Sequence, residues 1–130
     1  MTYTFSVRSW NKLNTYGVHP DIKRLMLEAI KTTPIDFTII ETVRTIKKQR
    51  ENIKKGVSKT LKSKHIPQFC SSGYCEAIDI APYPIDWSDL ERFRALAAHI
   101  KQTAQKLNIP ITWGGDWKTI VDMPHYELKK

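Results

Sequence analysis

Nowhere in these 130 residues do apolar side chains run on for the ~18 positions that a membrane span needs, so no stable membrane insertion is expected. Met1 to Arg8 shows no basic stretch followed by an apolar one, so no secretory signal is expected either. Cysteine is scarce. Cys70 and Cys75 are too few and too close together for a zinc ribbon. They could close a small disulfide loop or stand as thiols in a reducing cytosol. Internal repeats, low-complexity tracts and linkers are absent, and residues 1–130 read as one domain.

Acidic residues are missing from one segment in particular. Nine of the 21 Lys and Arg residues lie between Arg44 and Lys64, where Glu51 is the single acid. That segment accounts for the whole formal charge of +8, because the remaining twelve basic and twelve acidic residues cancel. A local basic stripe favours an anionic partner, namely nucleic acid, a wall polymer or a membrane surface; a solvated helix face is the plain alternative. Aromatic residues do not interleave with these lysines, which weighs against base stacking on a single strand.

What is present is periodic. Ile22, Leu25, Met26, Ala29 and Ile30 form an apolar stripe behind Pro20, which predicts a helix that ends before Pro34. Phe37–Val43 is β-branched and apolar and predicts a strand. Ile46 to Lys55 predicts a short polar helix stopped by Gly56. A Ser/Lys/Thr loop leads to His65, and 66–76 reads as irregular. Ala77–Ala81 predicts a buried strand ended by Pro82 and Pro84. Ser88 and Glu91 match a capping box, and Leu90, Phe93, Ala97, Ile100, Ala104 and Leu107 repeat at helical spacing up to Pro110. Short strands are expected around Ile111–Trp113 and His125–Leu128, with a tight glycine turn in Trp113–Trp117. This mixture, without regular βαβ alternation, predicts an α+β fold with a small, mainly antiparallel sheet packed against helices.

Chemistry concentrates in four residues. His65, Asp79 and His125 supply two imidazoles and a carboxylate, a set that zinc accepts while keeping a fourth position open. Asp79 lies within Ala-Ile-Asp-Ile-Ala, where an unpaired carboxylate would be costly to bury. Asp122 lies three residues before His125 and can bend around Pro124 toward the same pocket, as a general base near the metal. Glu127 shares a strand face with His125 and rivals Asp122 for that role. His19, at a helix start, and His99, off the apolar stripe, read as structural and solvent-exposed respectively.

Several segments, in this order, resemble the zinc peptidases of the D-alanyl-D-alanine carboxypeptidase and L-alanyl-D-glutamate peptidase family, and most closely its phage endolysin branch. They are Val43-Arg44-Thr45 with Gln49, Ser63-Lys64-His65, Ala77 to Tyr83, Trp113-Gly-Gly-Asp-Trp117 and Asp122-Met-Pro-His-Tyr-Glu127. The resemblance implies a hedgehog/DD-peptidase-like fold, with Zn2+ on His65, Asp79 and His125. It implies Asp122 as catalytic acid/base, Arg44 as the group that holds the carbonyl oxygen, and Ser63 as a supporting hydrogen-bond partner. An Arg44–Glu41 ion pair is the plain alternative for Arg44. The implied substrate is bacterial peptidoglycan, cut at L-alanyl–D-glutamate, with removal of terminal D-alanine as the rival and a basic nucleic-acid-binding module as the reading from another class. The endolysin branch implies a monomer with no nucleic-acid partner, which accumulates in the host cytoplasm and reaches the wall at lysis. One departure stands out: thirteen residues separate His65 from Asp79, more than the family's pattern places there. The added length carries both cysteines.

Overall fold

The computed structural model describes residues 2–56 and 63–129. Lys59, Lys62 and most of the loop leading to His65 fall outside them. The elements run α1 (Val7–Leu13), α2 (Pro20–Thr32), β1 (Phe37–Glu41), α3 (Ile46–Lys54), β2 (Ala77–Pro82), α4 (Leu90–Lys106), β3 (Ile111–Trp113) and β4 (His125–Leu128). The four strands form one sheet in the order β1-β2-β4-β3, with every pairing antiparallel. The α+β expectation is met.

Strand alternation divides the sheet into two faces. Phe37, Ile39, Ile78, Ile80, Tyr126 and Leu128 enter a common core. Ile22, Leu25, Met26 and Ala29 of α2, with Leu96, Ala97, Ile100 and Ala104 of α4, close that core. Burial of such Leu and Ile side chains contributes roughly 1.5–3 kcal/mol each, so these two stripes dominate the stability of the fold. Asp79, His125 and Glu127 occupy the alternate positions and point to the opposite face.

Four expectations change in detail. The strand predicted over Phe37–Val43 ends at Glu41, after a register shift between Ile39 and Glu41. The strand predicted over Ala77–Ala81 runs one residue further and ends at Pro82 itself, which pairs with Phe37 of the edge strand β1. The cap of α4 is Asp89, whose carboxylate accepts from Arg92 N–H, and not Ser88. Ser88 is already committed, because its amide and its hydroxyl both donate to Asp86 Oδ1. His99 is half-buried rather than solvated, and its Nε2–H donates to the carbonyl of Ala29 in the last turn of α2. His19 has the structural role expected of it: its Nδ1 caps α2 by accepting from Asp21 N–H.

Helix α1 was not anticipated. It buries only Ser9 and Leu13, too little for a periodic signal. Its work is polar. Ser9 Oγ accepts from Ile39 N–H, Lys12 Nζ donates to Ile40 O, and the Lys12 carbonyl accepts from Thr42 Oγ1. The helix thus covers the open edge of β1, whose unpaired backbone would otherwise invite a foreign strand.

Candidate active site

Sheet register builds the site. Asp79 on β2 pairs with Glu41 of β1 on one side and with His125 of β4 on the other. His65 reaches the same row from the loop, fastened where Arg44 N–H donates to its carbonyl at 2.9 Å. His65 Nε2 lies 3.1 Å and His125 Nδ1 3.0 Å from the same oxygen, Asp79 Oδ1. One ligand atom from each residue falls within 4.8 Å of the others, a grouping able to hold a metal ion.

The outer nitrogens decide what the inner ones can do. His65 Nδ1–H donates to the Thr42 carbonyl at 2.7 Å, and His125 Nε2–H donates to Glu127 Oε1 at 2.8 Å. A neutral imidazole that donates outward presents a lone pair inward. Both lone pairs then face a carboxylate oxygen, an arrangement that calls for a cation at its centre. The donor set therefore fits a metal. Protonation is the other remedy at His125: burial opposes its charge, but hydrogen bonds donated to Asp79 and Glu127 outweigh burial and raise its pKa to about 9. Asp79 is the counterpart. Burial would raise it, yet the His125 and His65 contacts hold it well below the usual carboxylate range.

Glu127, weighed above as a general base, is spoken for. Burial would raise its pKa, but its bonds to His125 and Lys64 lower it, and Lys64 Nζ lies 3.2 Å from its Oε2. It orients His125 from outside, as outer carboxylates do around metal-binding imidazoles. Asp122 differs. Its carboxylate makes no hydrogen bond among the described residues, while its amide donates to Gly114 O and its carbonyl accepts from His125 N–H. Burial, and then the Asp79 charge, raise its pKa above the ordinary carboxylate value, against His125, His65 and Arg44. A carboxylate so placed, with its pKa raised, is able to accept a proton.

Arg44 does form the ion pair with Glu41, through both Nε and Nη2. Its Nη1 also donates to Gln49 Oε1 at 2.6 Å, and Gln49 is fully buried on α3. Two of its five N–H donors remain uncommitted among the described residues. Ser63 acts on backbone: its Oγ accepts from His65 N–H at 3.2 Å. Of the two tryptophans in the glycine turn, Trp113 joins the core, while Trp117 packs beside the His125 ring at 5.3 Å. The Thr42 carbonyl is the partner that residue types alone could not announce, since every residue carries one. Cys70 and Cys75 are buried reduced thiols without a disulfide. Burial pushes the Cys75 thiol up to about 12.

A family model of the phage L-alanyl-D-glutamate peptidases matches residues 1–129. The chain belongs to that family. It is 35% identical to the L-alanyl-D-glutamate peptidase of Escherichia phage T5, over all of this chain and 92% of that protein. It is 28% identical to the enzyme of the same name from Listeria phage A118, over 97% of this chain and 41% of that longer protein. Among solved structures, the Serratia marcescens L-Ala D-Glu endopeptidase ChiX superposes with a TM-score of 0.82 at 30% identity, covering 97% of this chain and 90% of that one.

Proposed function

We propose that this peptidase hydrolyses the L-alanyl–D-glutamate amide of the peptidoglycan stem peptide, as a zinc enzyme. The observation that carries the reading is the pair of imidazole lone pairs converging on Asp79 Oδ1, with an uncommitted, half-buried carboxylate, Asp122, beside them. His65 Nε2, Asp79 and His125 Nδ1 would hold the zinc, which supplies Lewis acidity toward water and the scissile carbonyl when bound. Asp122 takes the proton of the attacking water and returns it to the leaving amine, a role for which a raised pKa suits a carboxylate. The uncommitted N–H groups of Arg44 meet the carbonyl oxygen as negative charge develops. Glu41 and Gln49 keep the guanidinium from swinging away.

The names of the relatives and of the structural neighbour support this bond over terminal D-alanine. The phage origin of the relatives also supports synthesis in the host cytoplasm and release to the wall at lysis; action as a monomer is part of the proposal. No helix among the described residues is long and apolar enough to cross a membrane. Digestion of purified peptidoglycan with and without a chelator tests the proposal. Mass analysis should show new D-glutamyl N-termini only in the metal-replete arm. Released D-alanine, or cleavage indifferent to the chelator, would overturn it.

A further inference from the structure

Resting on the peptidase reading, we infer that the exposed cationic face of α3 docks the enzyme onto the fixed carboxylates of the wall's stem peptides. Lys47, Lys48, Arg50, Lys54 and Lys55 are all exposed on this helix and its C-cap, and Gln49 is its buried residue. Among the described residues no carboxylate pairs with any of the five, and Glu51, on the same helix, pairs with none of them. Outside residues 44–64 basic and acidic residues are equal in number, and several surface cations are paired, although Arg8, Lys106, Lys118 and Lys129 are exposed without an ion pair among the described residues. Arg24 pairs with Asp21, Lys31 with Glu28, Arg94 with Glu91 and Lys101 with Asp116.

The helix also works against its own electrostatics. Its first turn carries Lys47 and Lys48 and no acid, although the N-terminal end of a helix favours negative charge. Arg50 and Lys54 stack like charges four residues apart. A short helix that accepts such costs, in a chain whose basic and acidic residues balance in number outside Arg44–Lys64, is keeping its cations for something outside the molecule.

Position ties this face to the reaction. Gln49 Oε1 accepts from Arg44 Nη1, so α3 is fastened to the arginine assigned to the scissile carbonyl. The substrate has the complementary charge for a reason of bonding. Glutamate is a diacid: one carboxyl continues the peptide, and the other stays a carboxylate a few atoms from the scissile nitrogen. A network of such peptides is a polyanion. Nucleic acid fits less well, because α3 carries no aromatic residue for stacking. A lipid surface also fits less well, because Ile53 is the one apolar residue the helix exposes.

The test is sedimentation of the zinc-loaded protein with purified sacculi, in an Asp122→Asn background so that the substrate persists. Sacculi with carboxylates converted to amides, duplex DNA and phosphatidylglycerol vesicles form the other arms. Docking predicts a Kd at least about tenfold weaker on amidated sacculi and in high salt. It predicts the same loss on native sacculi for Lys47→Gln/Lys48→Gln/Arg50→Gln/Lys54→Gln. In the wild-type background, that variant's loss of hydrolysis on sacculi should exceed its loss on a short stem peptide by a similar factor. Equal binding to native and amidated sacculi would overturn the inference, as would tighter binding to DNA or vesicles. Salt-sensitive, amidation-sensitive binding without L-alanyl–D-glutamate cleavage by the wild type would instead overturn the peptidase reading and leave the docking face standing.

Discussion

A metal held by the His65–Asp79–His125 group would compete with a proton for one lone pair of His125. Its Nε2 is committed to Glu127, so occupation of Nδ1 by zinc must displace the proton that gives this residue a pKa of about 9. The sign follows: below that pH each unit of acidification should weaken apparent zinc affinity by about tenfold, and above it the dependence should flatten. Competition titrations against a chromophoric chelator across pH 6.5–9.5, a range set about the His125 value, would show a flat line if the proton were elsewhere. The two acids flanking this histidine should respond in opposite ways. Asp122→Asn should retain zinc and lose about 10²–10⁴-fold in kcat. Glu127→Gln should lose about 10–100-fold in zinc affinity. Equal zinc loss in both variants would undo the division of labour. That division was only half legible in the sequence. The Asp-x-x-His and His-x-Glu spacings put both acids near His125, but which one faces outward depends on ring orientation, which the sheet sets.

At the scale of elements, the turn after β3 carries Asp122 into place by touching it. A Cβ at Gly114 would come within 2.3 Å of the Asp122 carbonyl oxygen, the same oxygen that accepts from His125 N–H. Gly114→Ala must push this backbone aside. Displacements of about 1 Å near a reacting group can cost on the order of a hundredfold, so a drop in kcat of about tenfold to a hundredfold is expected. A crystal structure should show the Asp122 segment displaced; unchanged kcat would mean that the turn gives way elsewhere. The long amphipathic helices and the strands carrying Asp79 and His125 were legible because their periodicity is what folding selects. Helix α1 was not, because its contribution is hydrogen bonding to an edge strand. The cap at Asp89 was missed because Asp86 had already claimed Ser88.

For the whole molecule, alkali is the informative stress. The Cys75 thiol is held up to about 12, whereas in the unfolded chain it ionises near 9. The unfolded state therefore loses its proton first. Stability contributed by the neutral thiol is intact below about pH 9 and drains away as pH climbs toward 12. Thermal unfolding between pH 8 and 11, within that window, should show a steeper fall in Tm for the wild type than for Cys75→Ala. Parallel curves would assign the alkaline loss to other groups, with Tyr126, also raised by burial, as the first candidate.

The row Glu41–Asp79–His125 runs across three strands, so ladder register, not the chain between them, keeps Asp79 beside His125, while His65 is fastened by Arg44 N–H at its carbonyl. The long connection from His65 to Asp79 is anchored at its base, where Glu76 N–H donates to Lys64 O and Cys75 N–H to Gly17 O. Its tip, Ser71 to Tyr74, is exposed. The molecule thus carries a built-in splice point. A tag, a second binding module or new chain termini could be grafted there, and the reacting centre would inherit none of the added slack.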